Sequence, residues 1–130
     1  MLLKAMNFPR ATVVDPARWP DWVHDRYAAC NIGYRQEKAE DVAVITSDEV
    51  WIYNTLQHVD DPERVIANAR KIGKTIRIFE WLGIDSYPGH PHRLDREPLE
   101  EWLGASGFVT EINENGACGT CFYGVFNGVR

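Results

Sequence analysis

The sequence is short of cysteine, of long apolar runs and of clustered positive charge, and each shortage removes a class of protein. Three cysteines in 130 residues are an odd number in a chain with no evident export signal, which fits reduced thiols better than a disulfide framework. No apolar run approaches the ~20 residues that a membrane-spanning helix needs. Met1-Leu2-Leu3-Lys4-Ala5-Met6 is too short and too poorly flanked for a secretion signal, so a cytoplasmic protein with no membrane partner is expected. The formal net charge is −5, and the Lys and Arg residues are scattered rather than gathered into a stripe, which disfavours non-specific attraction to nucleic acid. Internal repeats and low-complexity tracts are lacking too. What remains is 45% hydrophobic and 12% aromatic residues, five tryptophans among them, enough for the core of a single domain over residues 1–130.

The stretch Asp48–Ile72 organises the rest. Glu49-Val50-Trp51-Ile52-Tyr53 is a short apolar run bounded by polar residues, the pattern of a strand buried on both faces. Asn54-Thr55-Leu56-Gln57-His58 breaks it with hydrogen-bonding side chains. Asp61 then caps a helix with Pro62 at its first position, Val65, Ala69 and Ile72 on its apolar face, and Gly73 as its stop. Polar groups at the carboxyl ends of buried parallel strands are where open α/β sheets bind ligands, so the site is sought here.

Met1–Phe8 reads as the end of a helix, and Ala11-Thr12-Val13-Val14 as a strand ending at Asp15-Pro16. A helix follows from Trp19-Pro20-Asp21 to Asn31-Ile32-Gly33, with Trp19 and Trp22 as core or rim packing, and Tyr34–Lys38 is a polar, edge-like third strand. Thr75–Trp81 is the next strand, interrupted by Arg77 and Glu80, one or both of which are expected to reach its end or a polar neighbour. Leu82–Leu94 is longer than a simple strand-to-helix connection and is a candidate functional loop. Asp95 caps a helix with Leu99, Trp102 and Leu103 on one face and Gly107 at its end. Phe108–Asn113 and Cys118–Phe126 form a hairpin about Asn115-Gly116.

The run from Asp48 to Pro62, with Leu56-Gln57-His58-Val59-Asp60-Asp61-Pro62 opening a helix, resembles the fourth-strand motif of the class I S-adenosylmethionine-dependent methyltransferases. The resemblance covers nearly the whole chain, from the family's second strand onward. It implies a three-layer α/β sandwich, a Rossmann-like methyltransferase fold without the family's first strand, whose mostly parallel sheet ends in an antiparallel hairpin. It also implies S-adenosylmethionine as cofactor and a small-molecule or other methyl acceptor. Asp15 matches the acid that accepts hydrogen bonds from the ribose hydroxyls, and its bland role is to initiate the turn before Pro16. Lys38-Ala39-Glu40-Asp41 resembles the adenine-holding segment, with Lys38 where an aspartate is common, so that Ala39 with Glu40 or Asp41 serves instead. Asn54 and Thr55 complete the cofactor-facing set.

His58, His90 and His92 fall on the rim where the family's substrate binds, and a histidine there could be the general base that takes a proton from the methyl acceptor. Against this, His58 could simply cap or pack, and the same two readings stand for His90 and His92. A metal site from His58, His90, His92 and Glu80 is the lesser alternative, because the ligands come from scattered segments with no recognised spacing, and no metal is expected. Cys118 and Cys121 have a two-residue spacing but no second pair, and on a strand they point to opposite faces, so they are read as packing cysteines. The family's glycine-rich first motif has no counterpart, the first glycine being Gly33. The chain is therefore expected to be a truncated methyltransferase-like domain with an incomplete cofactor site, or alternatively a non-catalytic interaction module. The exposed strand edges left by the missing strand are expected to be closed by direct pairing of Ala11–Val14 with Glu49–Tyr53 or, in preference, by a homodimer.

Overall fold

The computed structural model describes residues 10–42, 45–114 and 116–129; the expected helix end at Met1–Phe8, and Asn115 of the expected hairpin turn, lie outside the described residues. The chain forms two compact units, Met1–Val42 and Ala43–Arg130.

In the first unit, β1 (Ala11–Val14) and β2 (Ile32–Arg35) are parallel, in register from Ala11 against Ile32 to Val14 against Arg35, and are joined through helix α1 (Asp21–Ala29). Pro20 stands in extended backbone just before the helix. Its fixed φ and missing N–H suit a helix start. Asn31 turns the chain back with φ +53, so the strand begins at Ile32, which is buried, rather than at Tyr34 as the sequence suggested. Trp22 is on the surface, 59% exposed, with the Arg26 guanidinium 5.9 Å above its ring. A 3-10 turn, Ala39–Asp41, follows β2.

The second unit runs β3 (Ser47–Tyr53), a 3-10 turn Leu56–His58, α2 (Pro62–Ile72), β4 (Gly73–Trp81), α3 (Arg96–Leu103), β5 (Phe108–Glu114) and β6 (Ala117–Asn127). Its sheet has the order β3-β4-β6-β5. β3 and β4 are parallel, and β6 lies antiparallel to both β4 and β5. Glu114 opposite Ala117 leaves a two-residue connection at 115–116, as the Asn-Gly pair predicts. The fold is thus α/β with a mixed sheet.

Alternation along β4 sorts the faces. Ile76, Ile78 and Glu80 are buried, while Thr75, Arg77, Phe79 and Trp81 are half-buried on the other face. The buried phase, with Ile52, Phe122 and Phe126, packs with Val65, Ile66 and Ala69 of α2 and Leu99 and Leu103 of α3 into the core. Fully burying an aliphatic side chain of this size contributes about 1.5–3 kcal/mol.

The helix ends show local chemistry at work. The Asp61 carboxylate accepts from the Arg64 amide at 3.0 Å, and Pro62 occupies the first turn of α2, as expected. Asp95 precedes α3 but makes no capping bond with its side chain; it pairs with Arg93 instead. α3 stops at Gly104, not Gly107, because Gly104 takes the left-handed conformation (φ 72) and its N–H reaches back to the carbonyls of Glu100 and Glu101. Gly107 serves another purpose. A Cβ there would stand 2.3 Å from Cζ of Phe122, whose side chain is fully buried.

Phe122 cannot retreat from such an atom, so Gly107→Ala is expected to destabilise the protein by about 1–3 kcal/mol, the usual cost of overpacking. Urea denaturation measures this. In a Phe122→Leu background the same substitution should cost less, and equal costs in the two backgrounds would show that the contact with Phe122 is not the cause.

Candidate functional site

The polar turn at the carboxyl end of β3 is the most completely specified part of the second unit. Asn54 leaves the strand with φ +53, a left-handed conformation that Asn adopts more readily than most residues. Its amide donates to the Phe79 carbonyl at 2.7 Å, extending the β3–β4 ladder by one bond. Its side-chain oxygen accepts from Nε2 of Gln57 at 2.8 Å. The Thr55 hydroxyl donates back to the Tyr53 carbonyl at 3.0 Å. The next two amides, those of Thr55 and Leu56, both donate to the carboxylate of Glu80: Thr55 N lies 2.9 and 3.1 Å from its two oxygens, and Leu56 N 3.1 Å from Oε1.

Glu80 has no exposed surface. Burial pushes its pKa up to about 7, while the hydrogen bonds from the Thr55 and Leu56 amides pull the other way. The carboxylate is thus the product of two opposed effects: desolvation favours the neutral acid, and the two N–H donors are arranged for the anion. Arg77, on the opposite face of the same strand, solves its problem differently. It makes a two-point contact with Glu49 at 2.8 and 3.0 Å, and this bond, helped by the Trp51 indole at 2.7 Å, holds Glu49 down to about 2.

The long loop after β4 closes on itself where the Gly83 amide donates to the Leu94 carbonyl at 2.9 Å. Within it, Tyr87 and His90 exchange backbone bonds of 3.0 and 2.8 Å across Pro88-Gly89. Proline followed by a glycine at φ +94 is the pattern of a type II turn. Two histidines strap the loop to the start of α2. His58 Nδ1 is 2.7 Å from the Gly89 carbonyl oxygen, and His92 Nε2 is 3.0 Å from that of Asp60. A carbonyl only accepts, so the proton sits on Nδ1 of His58 and on Nε2 of His92. His90 packs between Tyr87, stacked at 4.3 Å, and His58, edge-on at 4.1 Å. Burial, and to a lesser degree the charge on His58, lower its pKa, and its Nδ1 is buried without a hydrogen-bond partner.

The structure thus gathers Asn54, Thr55, His58, His90 and His92 about one turn and one loop of the second unit. In the first unit Asp15 follows directly on β1. Its carboxylate accepts from the Ala17 amide at 2.8 Å and from the Trp19 indole at 3.0 Å, and the Tyr34 hydroxyl donates to its carbonyl at 3.0 Å. Asp15 therefore does initiate the turn, and each carboxylate oxygen keeps a second lone-pair direction. Ala39 and Glu40 lie in the 3-10 turn after β2, with Glu40 buried.

Among the described residues no group of three or more His, Cys, Asp or Glu is disposed to hold a metal ion. Cys121 is buried, which raises its thiol pKa, and Cys118 is exposed. A shallow cavity of about 660 Å³ is lined by Tyr53, Phe79, Phe108, Tyr123 and the Glu49-paired Arg77. None of the candidate residues lines it. The residue that sequence reasoning left without a partner is Glu80. The signal was there: it continues the buried phase of Ile76 and Ile78 and stands level with the polar turn after β3.

Glu80 also makes stability depend on pH in a window of its own. Its pKa rises from the ordinary 4.5 to about 7 on folding, so the folded state holds the proton more tightly. The stability linked to that proton is fully present below pH ~4.5 and is lost as pH rises through about 7, a change on the order of 3 kcal/mol. Glu49, lowered to about 2, acts in the opposite sense and at lower pH: its contribution is present above ~4.5 and lost as pH falls toward 2. Denaturation at pH 4.5, 6 and 8 should therefore show wild-type stability falling relative to Glu80→Gln across that range. Parallel curves for the two proteins would place Glu80's titration elsewhere.

No family model and no curated protein matches the chain. Solved structures do. YcgJ from Bacillus subtilis superposes with a TM-score of 0.64 at 10% identity, over 91% of this chain and 80% of that one. The N-terminal domain of EvdMO1 with SAH bound gives 0.57 at 19% identity, over 96% and 77%. The 1,6-didemethyltoxoflavin-N1-methyltransferase of Burkholderia thailandensis, bound to 1,6-didemethyltoxoflavin and S-adenosylhomocysteine, gives 0.65 at 17% identity, over 92% and 61%. At such identities the likeness establishes the fold and nothing finer, and that fold is the Rossmann-like one of the class I S-adenosylmethionine-dependent methyltransferases.

Proposed function

We propose that this chain is a single methyltransferase-like domain that takes S-adenosylmethionine as cofactor and passes its methyl group to a small-molecule acceptor. The observation that carries this reading is the likeness of fold, over more than nine-tenths of the chain, to proteins crystallised with SAH or S-adenosylhomocysteine. The residues fit the group in kind. Asp15 offers two carboxylate oxygens, each with a lone pair beyond the bond that orients it, suited to a pair of ribose hydroxyls. Ala39 and Glu40 stand at the positions that resemble the family's adenine-holding segment. Asn54 and Thr55 present an amide and a hydroxyl at the carboxyl end of a parallel strand, where α/β sheets bind ligands.

S-adenosylmethionine, when bound, would supply an electrophilic methyl group. What the chain would add is placement and a proton acceptor. With its proton on Nδ1, His58 keeps Nε2 unprotonated and able to take a proton from the acceptor's nucleophilic atom. His90, whose pKa burial lowers, is the second candidate for that step. His92, bonded to the Asp60 carbonyl, would hold the loop that carries His90.

Titration calorimetry with S-adenosylmethionine and S-adenosylhomocysteine tests the reading. Binding in the micromolar-to-millimolar range is expected, and Asp15→Asn should weaken it about tenfold, the effect of losing roughly 1.4 kcal/mol of charge-assisted hydrogen bonding. No heat with either ligand at millimolar concentration would sink the cofactor assignment and leave a methyltransferase-like module that acts by binding something else.

A further inference from the structure

Two successive backbone N–H groups that converge on one point are an anion site. Asn54 is left-handed, and Thr55 follows at φ −125, ψ −40, near the right-handed region. That alternation of hand turns consecutive amides toward a common centre, the concave arrangement that binds anions in many proteins. Here the anion is already present and is covalently part of the chain. The Glu80 carboxylate fills the concavity, with all three N···O distances between 2.9 and 3.1 Å.

We propose that Glu80 is the positioning residue of the candidate site: by occupying the amide concavity at Thr55 and Leu56 it fixes the left-handed Asn54, and with it the directions of the Asn54 and Thr55 side chains toward a ligand. This rests on the cofactor reading for the nature of the ligand, but not for the clamp itself. The remaining bonds of the turn do not define it alone. The Asn54 amide and the Phe79 carbonyl fix only the point where the chain leaves β3. The Gln57 amide reaches Asn54 only once residues 54–57 are already folded back, and its own oxygen is buried without a partner. The His58 amide donates to Thr55, three residues earlier, and is local in the same way. Among the hydrogen bonds of the described residues, those of Glu80 alone tie the middle of the turn to a rigid strand 24 and 25 residues away. A corollary concerns chemistry. Because Glu80 saturates these two amides, a ligand's carboxylate or phosphate cannot use them, and recognition at this turn falls to side chains.

The test uses two substitutions and two readouts in the full chain. Glu80→Gln keeps one oxygen, able to receive both amides, but sets an NH2 group where Oε2 accepted from Thr55. Glu80→Ala empties the concavity. Backbone NMR should show the Thr55 and Leu56 amide protons moved upfield and exchanging faster in Glu80→Ala, with Thr55 more affected than Leu56 in Glu80→Gln. Added formate, a free carboxylate that fits the vacated space, should return both signals toward their wild-type positions in Glu80→Ala. S-adenosylhomocysteine affinity should fall at least tenfold in Glu80→Ala, fall less in Glu80→Gln, and recover in part with formate. Wild-type positions and exchange rates for both amides in Glu80→Gln and Glu80→Ala would overturn the proposal. If Glu80→Ala does not fold, Glu80→Gln decides it on the Thr55 signal. A wild-type protein that binds no S-adenosylhomocysteine would defeat the cofactor reading while leaving the clamp to be judged by the amides alone. Altered amides together with unchanged affinity would confine Glu80 to a structural role and reject it as a positioning residue.

Discussion

A carboxylate buried in a protein interior is tolerated only if donors meet it, and around Glu80 two backbone amides meet that demand in part, against a burial that still holds the pKa up at about 7. Isolated in an apolar core, the charge would be expensive enough that the group would simply stay protonated. Two backbone amides aimed at it shift the balance. The same bonds solve a second problem, because Thr55 and Leu56 leave the ladder at the end of β3 and their N–H groups would otherwise be buried donors with nothing to bind. One side chain thus settles an electrostatic debt of β4 and a hydrogen-bonding deficit after β3. The two elements become mutually dependent: the strand needs the turn to hold its charge, and the turn needs the strand to hold its shape.

The two polar residues of β4 show how position on a sheet decides the solution open to a charge. Arg77 lies on the half-open face and reaches across to Glu49 on the neighbouring strand, in reach of water, with the Trp51 indole as a further donor to Glu49. Glu80 lies on the helix-covered face, three residues later and therefore on the opposite side. No cation meets it there among the bonds described, and backbone amides take that place. Had the order of the two residues along β4 been reversed, a guanidinium would face amide donors, which is a repulsive arrangement with no local remedy.

Much of this was legible in the sequence because it depends on local rules. The strand read at Glu49–Tyr53, which the structure starts two residues earlier at Ser47, the polar break after it, the Asp61 cap with Pro62 behind it, and the Asn-Gly hairpin follow from residue type and spacing within a dozen positions. The errors share a cause: the deciding partner was either one of several equal candidates or far away in sequence. Gly104 and Gly107 are both credible helix stops, and what separates them is Phe122, whose ring fills the space beside Gly107. Asp95 looks like a cap, yet Arg93 two residues earlier competes for its carboxylate. The second strand begins two residues before the expected position because Asn31 accepts a left-handed backbone, which frees Ile32 to be buried as a strand residue. For the candidate site, the histidines were legible as a group, but not their attachment to backbone carbonyls at Gly89 and Asp60, since a carbonyl leaves no trace in residue identity.

Those attachments have one further consequence. A hydrogen bond from an imidazole N–H to a carbonyl survives when the ring gains a second proton, because both nitrogens of the cation are donors. The strap from His58 to Gly89 therefore keeps both its partners in the charged ring, where the charge strengthens it. A second proton reverses the sense of the outer nitrogen, from acceptor to donor. A proton gained at His58 thus leaves the attachment at Gly89 unbroken, while its charge is felt by His90, the loop residue packed edge-on against that ring at 4.1 Å.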